Sequence, residues 1–227
     1  MTELVREHTG YDVVEEEPPE LLGRNLNSAG HLLASATAFF FLAFVFAYFY
    51  LRAQNNAGLW RPKHVDPPQT LGVLVMLACV ASAALVRLGL ADHRARRRAQ
   101  WRVKGLVALG LGIVAIVLQV VEWNTVGFGP ADGGYASVFV GWTAFYVLFV
   151  FGTMFWLETI VATAFRYRKV ATHEEITPGE ASGDPYRGGR DIADPLSVIR
   201  PGLESISFYW SFLAGIGVLT WILLYLA

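Results

Sequence analysis

Five apolar stretches, each close to the length needed to cross a lipid bilayer, leave this chain little choice of architecture. They run over 32–51, 71–91, 105–121, 135–157 and 205–227. A helix needs about 20 apolar residues to span the hydrocarbon. Arg87 is the only Asp, Glu, Lys or Arg inside any of the runs. Within lipid a backbone must satisfy its own polar groups, so helices are the natural reading. A transmembrane β-barrel would show alternating segments of about 10 residues, and these runs do not alternate. With 54% hydrophobic and 16% charged residues over 227 positions, and a mean hydropathy of +0.42, the chain is far from a soluble composition. The expected fold is therefore all-α, a polytopic membrane bundle of five transmembrane helices.

Charge sets the expected orientation. With five spans, residues 1–28, the turn near 92–104 and the segment 166–204 share one side. They hold 2, 6 and 6 Lys plus Arg, against 3 on the other side, all between 52 and 69. The positive-inside rule then places the N-terminus in the cytoplasm and the C-terminus outside. The run 93–98, with Arg94, Arg96, Arg97 and Arg98, reads as a topology anchor touching lipid headgroups rather than as a nucleic-acid site. Residues 1–28 are acidic, with Glu15–Glu17 ahead of Pro18 and Pro19, and do not resemble a cleavable signal peptide. They read as a cytoplasmic polar arm, followed by a membrane domain over 29–227 that includes a cytoplasmic loop over 166–204.

Local signals refine this picture. Asn25, Asn27 and Ser28 are candidate caps for the first helix. An aromatic cluster from Phe39 to Tyr50 reads mainly as packing bulk, and Arg52, Trp60 and Arg61 mark the outer interface. Arg87 is expected to snorkel to the cytoplasmic headgroups. Gly105, Gly110 and Gly112 are expected to let a neighbouring helix approach closely. Prolines 178, 185, 195 and 201 and several glycines make 170–203 read as an irregular loop. Cys79, the single cysteine, falls in the second run and is expected to pack.

Chemistry is sparse. The five histidines, at 8, 31, 64, 93 and 173, fall in arms or loops or at the mouth of the first run. Haem or copper within a bundle requires histidines facing one another from packed helices, so no metal or redox centre is expected here. No CxxC, HExxH, Walker or GxSxG pattern occurs. An enzyme acting alone is not expected. Glu122 lies one turn after Gln119 near the end of the third run. It is either a polar contact to a neighbouring helix or lipid, or a carboxylate wetted at the interface. Glu158, near the basic residues 166–169, reads as interfacial.

The order and spacing of several groups resemble subunit III of the haem-copper terminal oxidases. The segment Phe39–Arg52, followed by Trp60 and Pro62, resembles that family's aromatic helix and the turn after it. Gln119, Glu122 and Trp123 resemble its Gln-x-x-Glu-aromatic pattern. Tyr135, Ser137, Phe139, Thr143 and Gly152 resemble its next helix, and Glu204, Tyr209, Trp210 and Phe212 its last. Against that pattern the chain departs in one direction. The stretch Ser35–Ala38 lacks the family's glutamate, Tyr146 and Phe149 stand where it has histidines, and Ser211 and Ala214 replace a histidine and an aspartate.

The resemblance implies a non-catalytic accessory subunit. It would pack on catalytic subunit I, which holds haem and copper, with subunit II in the same complex. It would hold phospholipid and support proton-coupled reduction of dioxygen to water in a bacterial or archaeal plasma membrane. The expected lipid or partner contacts are Gln119, Glu122, Trp123, Tyr146, Glu204, Tyr209 and Trp210. An accessory subunit of a nitric oxide reductase and a small secondary transporter are the competing readings.

Overall fold

The computed structural model describes residues 19–55, 58, 60–62, 65–174 and 195–226. Five long helices make up the bundle: α1 Pro19–Ala53, α2 Gln69–Arg94, α3 Arg98–Thr125, α4 Gly134–Glu174 and α5 Pro195–Trp221, the last closing in one π turn, Ile222–Leu226. All five contain a stretch long and apolar enough to cross a membrane: Arg24–Ala53, Gln69–Arg94, Ala99–Thr125, Gly134–Phe165 and Ile199–Leu226. Among the described residues there is no strand.

Several helices outrun their apolar cores, and this corrects the expected boundaries. α1 opens at Pro19, whose fixed φ and missing N–H suit a first helical turn. Asn25, Asn27 and Ser28 therefore lie inside the helix and do not cap it. The edges of the expected 170–203 loop are helical as well, α4 to Glu174 and α5 from Pro195; residues 175–194 lie outside the described residues. An apolar run marks only the stretch that lipid touches, whereas the backbone ladder continues past it wherever charged side chains can be solvated. Pro201 sits inside α5, where it removes one ladder hydrogen bond.

α2 and α3 form an antiparallel hairpin. Its turn is a Schellman motif, with Arg97 N–H donating to Asp92 O at 2.8 Å and Arg96 N–H to His93 O at 3.0 Å. The left-handed position of that motif is held by Arg96, at φ 58°. Beside it, Lys104 pairs with the buried Asp92, and Arg97 approaches the same carboxylate at 3.9 Å. Two of the four expected anchors, Arg96 and Arg97, therefore also shape this turn, and the side chain of Arg98 lies outside those described.

α5 packs against α1, α2 and α4, while α4 also packs against α3 and α1. Close approach is localised. A Cβ on Gly112 would meet the Met154 thioether, one on Gly105 would meet Trp101 and Val161 at 3.0 Å, and one on Gly217 would meet the Tyr146 hydroxyl. Gly110, expected to act with Gly105 and Gly112, instead faces open space. The aromatic cluster of α1 divides between two faces. Phe40, Phe41 and Phe44 stack into Trp142, Phe145 and Phe149 of α4. Phe39, Phe46 and Phe49 are exposed. The outer surface carries many such large apolar side chains, among them Leu32, Leu77, Val103, Leu148 and Phe155. Lipid is the medium in which that surface is at rest. Trp60, expected to mark the outer interface, is buried edge-on between Tyr48 and Tyr135.

Candidate functional site

Among the described residues, the most enclosed carboxylate lies on α3. Glu122 is 0% exposed near the end of α3. Gln119, three residues earlier on the same face, donates to its Oε2 at 2.5 Å. The Tyr225 hydroxyl donates to both carboxylate oxygens at 2.8 Å. The π turn at the end of α5 carries Tyr225, and a Cβ on Gly72 of α2 would collide with that tyrosine's ring. Next to it the Tyr135 hydroxyl donates to Leu224 O, and Gln69 reaches Tyr225 O at 3.4 Å. Four helices thus converge on one carboxylate, and its hydrogen-bond donors are neutral. Such a group can be held as an anion by the Gln119 N–H and the shared Tyr225 O–H, or can carry a proton and donate in turn. Water at the interface, one of the two readings of Glu122, does not reach it.

The other expected residues are spread along the bundle. Trp123 is half-buried and donates from Nε1 to Thr143 Oγ1 at 2.9 Å. Tyr146, buried, donates to Leu213 O at 3.3 Å. Tyr209, also buried, shares a 3.1 Å hydrogen bond with Thr37, within the stretch that lacks the family's glutamate. Trp210, 0% exposed, donates to Ser82 Oγ at 3.0 Å, and Ser82 donates to Ala108 O at 2.6 Å. Glu204 lies at the opposite end from Glu122, partly exposed, between Arg94 at 3.1 Å and Arg200 at 3.0 Å. Offered by the sequence as lipid or partner contacts, Gln119, Glu122, Tyr146, Tyr209 and Trp210 have their side chains enclosed by this chain's own helices. Among the seven, Trp123 and Glu204 keep an accessible face.

A hydroxyl pattern links these positions. Trp123, Trp142 and Trp210 each donate to a serine or threonine on another helix, Trp142 to Thr220 at 2.8 Å. Buried polar groups are thereby satisfied without charge. One partner and one pairing were not foreseen from the sequence. Tyr225 is one; its only signal is a phenol inside an otherwise apolar terminal run. The other is the bond from Arg87 Nε to Ser211 Oγ at 2.7 Å. Ser211 lies six residues into the apolar run 205–227. Among the described residues, no three His, Cys, Asp or Glu side chains come together as a metal site would require.

Comparison with known proteins agrees with this architecture. Residues 22–177, covering α1 to α4, match the family model described as Cytochrome c oxidase subunit III. Cytochrome c oxidase subunit 3 of Didelphis virginiana is 27% identical over 148 residues, 63% of this chain and 52% of the relative. The same subunit of Struthio camelus is 30% identical over 125 residues, 52% of this chain and 48% of the relative. The chain spans about half the length of the curated relatives it matches. With the family model matching well over half of its length, this chain belongs to the cytochrome c oxidase subunit III family.

Proposed function

We propose that this chain is a membrane-embedded accessory subunit of a haem-copper oxidase that reduces dioxygen with electrons from cytochrome c or quinol. It packs on subunit I, which holds the haem and copper, with subunit II in the same complex, in a bacterial or archaeal plasma membrane. Its N-terminus is cytoplasmic and its C-terminus outside, with Arg94, Arg96, Arg97 and Arg98 anchoring the cytoplasmic side. The observation that carries the reading is the family match across four consecutive helices. Two features support it. The bundle's outer surface is built for lipid and for other spanning helices, and its polar interior is closed by neutral hydrogen bonds.

In this reading the seven residues act in two ways. Trp123 and Glu204 contact lipid or the neighbouring subunit. Gln119, Glu122, Tyr146, Tyr209 and Trp210 fix the helices that present those contacts. Bound phospholipid and the rigid bundle then sustain turnover in the catalytic subunit. The test is affinity purification of the full chain from native membranes in mild detergent, followed by mass spectrometry and an optical spectrum. Haem co-purifying with a larger subunit is the expected result; a colourless, solitary protein overturns the reading.

A further inference from the structure

Charge on the seam between α2 and α5 does not balance. Arg94 pairs with Glu204 at 3.1 Å, and Arg87 donates from Nε to Ser211 Oγ at 2.7 Å. Both arginines lie on one stripe of α2, seven residues or about two turns apart, and their partners are likewise seven residues apart on α5. Ser211 already donates to Ser207 O at 2.7 Å, so it meets Arg87 as an acceptor and brings no charge. Arg200 bonds the same Glu204 at 3.0 Å. Among the described residues, three guanidiniums on this seam thus meet one carboxylate. All three arginines are exposed.

The seam lies at the edge of the apolar layer. Arg87 stands four residues inside the end of the run 71–91, and Arg94 three residues beyond it, about 6 Å and 5 Å along the helix. The two straddle the level where hydrocarbon gives way to headgroups. Away from that edge the stripe turns small and apolar. Val80 and Ala84 are exposed on α2, as is Gly215 on α5, where a Cβ would meet nothing within 4 Å. A cationic rim thus stands over a shallow apolar trough. We infer that this seam binds a phospholipid of net negative charge, its headgroup held by Arg87 and Arg94 and an acyl chain laid along Ala84 and Gly215. Charge complementarity selects the occupant. A zwitterionic headgroup would set its ammonium against the same guanidiniums, whereas phosphatidylglycerol or cardiolipin brings anionic charge alone. The inference deepens the lipid-holding part of the proposed function and rests on that part, not on which complex the chain serves.

The test places the photo-crosslinker p-benzoylphenylalanine at Ala84 of the full chain, purified with its partners in mild detergent and returned to vesicles of equal phosphatidylglycerol and phosphatidylcholine. The mass of the adduct identifies the lipid. Adducts enriched in phosphatidylglycerol are the expected result. Arg87→Gln should lower that enrichment about fivefold, and Arg87→Lys, which keeps the charge, should retain most of it. Inorganic phosphate should lower it no more than chloride of the same ionic strength does. Adducts in proportion to the bulk lipid, enrichment that survives both Arg87→Gln and Arg94→Gln, displacement by inorganic phosphate, or an adduct to a polypeptide in place of lipid would overturn the inference. The lipid preference with both arginines intact keeps the test decisive if a variant accumulates poorly. Haem in the same preparation reports on the oxidase separately. An enriched adduct without haem would support the site while removing the oxidase reading, and haem with an unenriched adduct would remove the site alone.

Discussion

Tyr225 supplies one of the two donors that close the Glu122 carboxylate, its single O–H shared between both oxygens, so that hydroxyl can be tested alone. Tyr225→Phe is expected to destabilise the bundle by about 1–3 kcal/mol, because a buried acceptor loses its donor while the ring still packs. Thermal unfolding in detergent measures this. Trp210→Phe removes the donor to Ser82, which still bonds Ala108 O, so the expected cost is smaller, about 1 kcal/mol. At this scale the sequence was half legible. Gln119 and Glu122 lie three apart on a helix and had to share a face. Tyr225 was hidden because it lies 103 residues away, and only tertiary packing pairs them. The same holds for Arg87, whose hydroxyl partner lies 124 residues on.

The Schellman turn between α2 and α3 makes a prediction about an element's end. Arg96 holds a left-handed backbone that glycine adopts without a Cβ clash. Arg96→Gly is expected to raise stability by about 1 kcal/mol, read as a higher unfolding temperature. Glycines inside α3 give a paired contrast. Gly112→Leu would drive a side chain into Met154 and cost about 1–3 kcal/mol or more, whereas Gly110→Leu points into open space and should leave the unfolding temperature nearly unchanged. The existence of each helix was legible because uninterrupted apolar length is unambiguous. The boundaries were not, since apolar length reports the bilayer and not the backbone ladder. Nor could composition tell Gly110 from Gly112, two residues apart on different faces of the helix.

For the whole molecule, orientation is the prediction. Buried Cys79 should not react with a membrane-impermeant thiol reagent. Asp132→Cys, in the exposed α3–α4 turn, should react from outside intact cells, and Arg96→Cys only after permeabilisation. The reverse pattern would invert the proposed topology. Architecture was readable from five apolar runs; the arrangement of helices around α5 was not, because that order lives in contacts between distant segments. These contacts also impose a sequence in time. Glu122, Thr37, Ser82, Arg87 and Trp142 are synthesised long before the α5 residues that bond them. Ser82, Thr37 and Glu122 already bond Ala108 O, Leu33 O and Gln119 without α5, and α5 adds to each a bond from another helix. α5 is thus the helix that ties the four before it into one bundle.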